Sequence, residues 1–238
     1  MVCVSRVKRD GDLVRAALYS AVYGGYERRV KPLPADLGVP AVLFTDDPDL
    51  PAPPGWQVQV RPLGIATFNG RPAVTAPMLA HKWWKCRPDL ALPDVDVSLW
   101  VDGSMTISVD GYVERCLDAL GDDDWVTVKH PARDCVFDEA QFSGLLARYD
   151  PAALHAQAAY YRSIGHPDHW GLVATGANVR RHTPDVVQLG KDWWWENVTR
   201  SHQDQVSLPV LLRLAGARVR WNMNMPWGGW WGISEHGS

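Results

Sequence analysis

Val97-Ser98-Leu99-Trp100-Val101-Asp102-Gly103-Ser104 is the stretch on which the fold class turns. Val97 to Val101 is a short, mostly apolar run, and Asp102-Gly103 cuts it off at once. A run of that length and composition reads as a strand inside a sheet, closed by a sharp turn at its carboxyl end. The same construction occurs elsewhere. Val39 to Phe44 (VPAVLF), broken early by Pro40, runs straight into Thr45-Asp46-Asp47-Pro48. Trp125 to Lys129 (WVTVK) ends at His130-Pro131. Ala16 to Val22 (AALYSAV) is bounded by Gly24 and Gly25, and Trp56 to Val60 (WQVQV) alternates. In an open α/β sheet, ligands bind beyond the carboxyl ends of the strands. If these strands are parallel, Thr45-Asp46-Asp47, Asp102-Gly103-Ser104 and His130-Pro131-Ala132-Arg133 gather on one rim.

Between the strands lie helical patterns. One starts near Thr75, with Pro77 in its first turn, and is stopped by Pro88. Tyr112 to Leu120 has helical spacing. Two helices follow His130: one from about Cys135 to Tyr149, the other capped by Asp150, opened by Pro151 and stopped at Gly165. Gly171 to Arg180 (GLVATGANVR) reads as strand–turn–strand, because Thr-Gly-Ala interrupts an apolar run. Asp185 to Thr199 is a helix carrying three consecutive tryptophans. Ser201-His202-Gln203-Asp204 has the capping-box pattern before an apolar helix that ends at Gly216. Arg218 to Trp221 is a last strand, and Pro62 to Arg71 is a Gly/Pro-rich loop. Strands alternating with helices predict an α/β, Rossmann-type mixed sheet flanked by helices on both faces, in one domain over residues 1–238 without internal repeats.

Composition agrees. The 238 residues are 46% hydrophobic and 21% charged, which excludes disorder, and the formal net charge of -3 offers no global basic field for nucleic acid or anionic membrane. Cys3, Cys86, Cys116 and Cys135 form no C-x-x-C pair, so reduced thiols in a cytoplasmic protein are expected. Met1 to Asp12 lacks the apolar core of a signal peptide, and no run approaches the ~20 apolar residues of a membrane span, so no membrane partner is expected. Tryptophan is abundant, at 13 residues. Most are expected in the core. Those at Trp227, Trp230 and Trp231, set among Gly228, Gly229 and Gly232, read as a ligand-facing loop.

Several side chains are candidates for chemistry. Asp102, held at a strand end, suits a hard cation or a diphosphate, and Gly103 lets the backbone approach it; the plain alternative is an Asp-Gly turn. Asp46 can grip ribose hydroxyls or close an Asp-Asp-Pro turn. Lys82 and Lys85 can neutralise a diphosphate or lie on a solvated face. His130 and Arg133 open a charged stretch reaching Asp134, Asp138 and Glu139, and arginine's planar fork suits phosphate. Asp204 fits a helix cap and equally a general base on an attacking hydroxyl, with Gln205 beside it.

Taken in order, Tyr-Ser-Ala-Val-Tyr-Gly-Gly-Tyr (19–26), Phe-Thr-Asp-Asp (44–47), Trp-Val-Asp-Gly-Ser (100–104), His-Pro-Ala-Arg-Asp-Cys-Val-Phe-Asp-Glu-Ala (130–140), Gly-Leu-Val-Ala-Thr-Gly (171–176), Val-Arg-Arg-His (179–182), Trp-Trp (193–194) and Asp-Gln-Val-Ser-Leu (204–208) resemble a glycosyltransferase-like family once catalogued as a domain of unknown function. Its plant members are linked to cell-wall and mucilage polysaccharides. The resemblance covers about Ala16 to Leu212. It implies a GT-A-like fold with a donor-binding half about 13–110 and an acceptor-side half about 111–238. It also implies a hexosyl- or pentosyltransferase that uses a nucleotide-diphosphate sugar, such as a UDP-sugar, and a hydroxyl acceptor (glycan or small molecule).

On that resemblance Asp46, Lys82, Asp102 and Gly103 would bind donor, Asp204 would be catalytic, and His130, Arg133, Gln205 and Trp194 would contact substrate. A divalent metal, manganese or magnesium, would be held by Asp102 and a C-terminal histidine, His236, with His202 as a second candidate. This chain has Asp102-Gly103-Ser104 where GT-A enzymes usually show Asp-x-Asp, so a second carboxylate is missing. Three other readings stand beside this one. The first is a phage-type DNA glycosyltransferase acting on 5-hydroxymethylpyrimidine, served by the clusters Lys8-Arg9, Arg28-Arg29, Arg180-Arg181 and Arg213 to Arg220. The second is a non-catalytic nucleotide-sugar or carbohydrate-binding module. The third is a nucleotidyltransferase, which normally needs two metal-binding carboxylates.

Overall fold

The structure, a computed structural model, describes residues 5–9, 12–25, 30–62, 76–226 and 228–233. The chain begins with β1 (Ser5–Arg9), which pairs antiparallel with β2 (Asp12–Val22). β3 (Ala41–Thr45) and β4 (Gln57–Val60) follow. Then come α1 (Ala76–Cys86), the short α2 (Pro88–Ala91), β5 (Val97–Val101) and β6 (Met105–Ile107). Next are α3 (Tyr112–Leu120), β7 (Trp125–Lys129), α4 (Val136–Ser143) and α5 (Pro151–Ser163). The chain ends with β8 (Val173–Arg181), α6 (Pro184–Thr199), α7 (Asp204–Ala215), β9 (Trp221–Met225) and β10 (Trp231–Ile233).

One sheet takes the order β4-β3-β2-β5-β8-β7-β9, with β1 added to β2. β2 is parallel to β3 and β5, β3 to β4, and β7 to β9, whereas β8 is antiparallel to both β5 and β7. Two antiparallel steps restore direction, so β7 runs with β5. The carboxyl ends of β2, β3, β5 and β7 therefore share one rim, as the strand-then-acid pattern predicted. This is the Rossmann-type mixed sheet flanked by helices expected from the sequence. β5 is buried along its whole length, which is why it reads as a mostly apolar run.

Side chains alternate across the sheet. Leu18, Val97, Leu99, Val126 and Val179 face α3, which contributes Tyr112, Val113, Cys116, Leu117 and Leu120. Ala17, Tyr19, Val42, Phe44 and Trp100 turn to the opposite face and meet α1. There α6 and α7 continue the layer through Trp125, Leu189, Trp193, Leu208 and Leu212. α1 and α6 cross closely at Gly190, where an added Cβ would lie 2.4 Å from the Cys86 carbonyl oxygen.

Where structure and sequence pattern differ, tertiary pairing is the cause. Gly171 to Arg180 is not strand–turn–strand but the single strand β8. Its partner β7 skips register, Thr127 facing Asn178 and Val128 facing Ala174, so Thr175-Gly176-Ala177 bulge. Thr127 Oγ1 donates to the Ala174 and Ala177 carbonyls, and Asn178 Nδ2 donates to the Thr175 carbonyl, which pins the bulge. α4 stops at Ser143 rather than Tyr149, with Cys135 at its N-cap. The last long strand lies at Trp221–Met225 rather than Arg218 to Trp221. By contrast α5 is capped as predicted: the Asp150 carboxylate accepts from the Ala152 and Ala153 amides at 2.9 and 3.3 Å. Cys86, Cys116 and Cys135 are buried free thiols; Cys3 lies outside the described residues.

Candidate active site

The rim opens into a cleft of about 320 Å³, within the range of small-molecule sites. Its walls come from the ends of β2 and β5, from α1, from the β8 bulge, from the loop carrying Arg148 and Tyr149, and from the start of α7. Asp102 and Asp204 both line it, with His81, Lys82, Lys85, Thr175 and Gln205.

Lys85 sits at the centre. Its Nζ lies 2.8 Å from Asp204 Oδ2, 3.1 Å from Asp102 Oδ1 and 3.2 Å from Thr175 Oγ1. An ammonium has three N–H donors, and three oxygens converge on this one. Lys82 Nζ adds a second contact to Asp204 Oδ2, at 2.7 Å. The side chains of Lys82, Lys85 and Asp204 are almost fully buried, while Asp102 keeps 32% exposure and so presents the carboxylate to a ligand.

The local sequence explains the placement. Lys82 and Lys85 are three apart on α1, hence on one face. The backbone at Lys85 is held by the fully buried Arg180, whose Nη1 donates to the Lys85 carbonyl at 2.7 Å. Arg180 Nη2 also donates to Tyr19 Oη, and Tyr19 Oη itself donates to the Lys85 carbonyl. Asp102 follows β5 directly. Its amide donates to the Gly176 carbonyl at 2.8 Å, and its Oδ1 accepts from Trp100 Nε1 at 2.8 Å. Gly176 leaves little room there, since a Cβ would come 3.4 Å from Asp102 Oδ2 and 3.1 Å from Met105 Sδ.

Electrostatics follow from these contacts. Burial alone would raise the Asp102 carboxyl, but Lys85, then His81, outweigh it and hold it below the ordinary carboxylate range. Burial likewise opposes ionisation of Asp204, and Lys82 and Lys85 overcome it. Burial lowers His81 despite its approach to Asp102 Oδ1 at 3.7 Å, so its ring is neutral at pH 7.

The capping box expected at Ser201 and Asp204 does not form. Gln203 is the N-cap of α7 without a side-chain cap bond, and Ser201 Oγ donates instead to Gln157 Oε1. Asp204 is spent on the two lysines. A carboxylate so held is a poor general base.

Asp46, His130, Arg133 and Trp194 fall outside the cleft lining. Asp46 takes the Gly24 amide at 3.0 Å, closing the turn after β2, next to the cleft residue Tyr23. His130 Nδ1 accepts from the Arg133 amide at 3.0 Å, and Arg133 pairs with the buried Glu139 at 2.5 Å. Glu139 in turn receives Gln203 Nε2 at 2.9 Å, so this cluster backs the cleft rather than lining it. Trp194 packs edge-on against Trp83, 5.0 Å between centroids, and meets no cleft residue through its ring contact. Gly103 and Gln205 do line the cleft, as does Trp231. His202 is buried against Tyr149. His236 and Trp227 lie outside the described residues. The sequence reading named Lys85 only beside Lys82 and missed His81, Thr175, Arg148 and Tyr149; only the three-residue spacing of the lysines hinted at a shared face.

A divalent cation of the kind the resemblance implies needs several oxygen ligands. The cleft carboxylates do not fit one: Asp204 Oδ2 is taken by two ammonium groups and Asp102 Oδ1 by Lys85 and Trp100. Among the described residues, the grouping of three or more close His, Cys, Asp or Glu ligand atoms is Cys135, Asp138 and His169, and none of these lines the cleft.

Among the described residues, arginines of the basic clusters have partners within the fold. Arg180 is buried, Arg181 donates to the Asp123 and Gly121 carbonyls, Arg213 to the Gly165 carbonyl, and Arg220 pairs with Asp124. Arg28 and Arg29 lie outside the described residues.

Residues 84–227 match the family model described as TOD1/MUCI70, glycosyltransferase-like domain. The chain is 25% identical over 143 residues to the probable hexosyltransferase MUCI70 of Arabidopsis thaliana. That match takes in 56% of this chain and 24% of the relative, so the chain spans about a quarter of that protein's length. Among solved structures it is similar to the apo form of the bifunctional glycosyltransferase WbbM, with a TM-score of 0.49 and 13% identity over 91% of this chain and 40% of that one. It is also similar to apo mouse xyloside xylosyltransferase 1, with a TM-score of 0.42 and 7% identity over 87% and 83% of the two chains. At such scores these two add nothing to the fold described above.

Proposed function

The chain belongs to the TOD1/MUCI70 glycosyltransferase-like family, and on that premise we propose that it transfers a sugar from a nucleotide-diphosphate donor to a hydroxyl acceptor. One observation carries the reading: Asp102, at the tip of β5, and Asp204, at the start of α7, meet in one cleft through Lys85. Acidic and basic groups far apart in sequence thus surround a single space at the carboxyl rim, where α/β sheets bind nucleotides. The Arabidopsis relative, a probable hexosyltransferase, favours a hexose as the transferred sugar.

In this reading the bond between the anomeric carbon and the diphosphate oxygen breaks, and its electron pair leaves with the diphosphate. Lys82 and Arg148 face that developing charge. The acceptor oxygen forms the new bond and passes its proton to the departing diphosphate, which has taken up the electron pair. Asp102, the more exposed carboxylate, orients donor hydroxyls. Asp204 positions Lys82 and Lys85 rather than taking the proton. The half of the chain before α3 holds the donor, and Gln205, Tyr149 and Trp231 flank the acceptor.

The test is a panel of UDP- and GDP-sugars. Slow release of free sugar and nucleoside diphosphate by the unmodified chain, lost in Asp102→Asn, supports transfer. Binding without turnover, alone or with a panel of oligosaccharide acceptors, makes the chain a binding module instead. A nucleotide sugar that neither binds nor turns over removes the proposal.

A further inference from the structure

Lys85 is coordinated as a bound cation would be. Asp102 Oδ1, Asp204 Oδ2 and Thr175 Oγ1 converge on its Nζ at 3.1, 2.8 and 3.2 Å. Three oxygens, two of them carboxylate, on one positive centre is the donor set a hard divalent ion seeks. Here the chain supplies the positive charge itself, and buries it with 1% side-chain exposure. A metal ion bound to the same oxygens would be forced against the ammonium, at a separation where like charges repel strongly in a site of reduced dielectric. The sequence points the same way, since Gly103-Ser104 follows Asp102 and offers no second carboxylate.

We propose that Lys85 stands in the place of a divalent cation, so that this site binds a nucleoside diphosphate without metal, using Lys82 and Arg148 as its cations. The inference rests on the donor reading above. Lys82 and Lys85 balance Asp102 and Asp204 in charge, and Arg148 at the cleft wall adds a further positive group for the incoming diphosphate. The β8 bulge contributes Thr175 to the cage, which gives the Thr-Gly pair within the strand a role at the cleft. Arg180 and Tyr19 both donate to the Lys85 carbonyl and so anchor the end of α1 that carries the ammonium.

The experiment measures UDP and GDP binding by calorimetry, to the full chain, once in EDTA and once in excess magnesium or manganese. The expected result is the same affinity within about threefold in all conditions. Nucleotide binding that disappears in EDTA, or tightens tenfold or more with either metal (about 1.4 kcal/mol), overturns the inference while leaving the donor reading intact. Absence of nucleotide binding under every condition overturns the donor reading and this inference together. Lys85→Ala supplies a second measurement: its emptied oxygen cage is expected to gain a thermal shift with manganese alone that the unmodified chain lacks. Equal manganese responses in the two proteins count against a cation-like role for Lys85. Because the calorimetry uses the unmodified chain, it decides the matter even if the variant does not fold.

Discussion

Lys85 Nζ and Asp204 Oδ2 lie 2.8 Å apart, tying the C-terminal turn of α1 to the first turn of α7 across the cleft. Both groups are nearly fully buried. Removing one partner of such a pair leaves an uncompensated charge, at a cost of about 3–5 kcal/mol. Asp204→Ala is therefore expected to lower the unfolding free energy by that amount, read as a lower urea midpoint, and the double variant with Lys82→Met to recover part of it. An Asp204→Ala protein with the parental midpoint would show that the pair contributes nothing.

The same carboxylate sets an acid limit. Burial would raise Asp204, but Lys82 and Lys85 hold it below its ordinary value of 3.8. A depressed carboxylate stabilises fully above the unfolded value and loses its contribution as pH falls through the folded one. Loss of structure below about pH 4 is expected to be shallower in Asp204→Asn, as followed by circular dichroism during acid titration.

Two histidines titrate in a higher window. Burial, then Arg213, pushes His166 down to about 4, and burial with Arg180 does the same to His182. In both cases the unfolded chain, near 6.5, binds the proton more readily, so stability is complete above that value and falls as pH drops towards 4. The expected loss is about 1–3 kcal/mol. His166 packs against Phe137 and Trp170, so His166→Phe should flatten the slope of urea midpoint against pH. A parental midpoint that does not move between neutrality and pH 5 would contradict this.

Arg148 is exposed and lines the cleft. Arg148→Ala is expected to change stability by no more than about 0.5 kcal/mol, yet to weaken nucleoside diphosphate binding and reduce its dependence on salt. Unaltered binding would take Arg148 out of the donor site.

Gly190 marks the closest approach of α6 to α1. A methyl group there would stand 2.4 Å from the Cys86 carbonyl oxygen. Gly190→Ala must push the helices apart, at about 1–3 kcal/mol, and move Lys85, the neighbour of Cys86, away from its oxygens. Thermal unfolding and nucleotide binding should both suffer; a variant with neither effect would mean that the crossing relaxes freely.

Much of the local structure was legible because its signals are local. β5, α3 and β7 fall where their patterns place them, since an apolar run or a helical spacing is complete within a few residues. Asp150-Pro151 announced α5 for the same reason: the capping oxygen and its amides are neighbours in the chain. The signals misled where a residue had a stronger distant partner. Thr175-Gly176 looks like a turn but is a bulge held between two strands, and Ser201 with Asp204 looks like a cap but serves Gln157 and two lysines.

The sequence by itself determined that acids stand just past apolar strands, because a strand and the turn that ends it are written into consecutive residues, whereas the shared rim came from strand pairing. Only the tertiary structure decided which of them meet. Asp102 and Asp204 share a cleft, while Asp46 closes a turn beside it and Arg133 serves a buried glutamate. Charge pairing depends on separations of about 3 Å between side chains, and such distances between remote segments exist only once the helices are packed against the sheet.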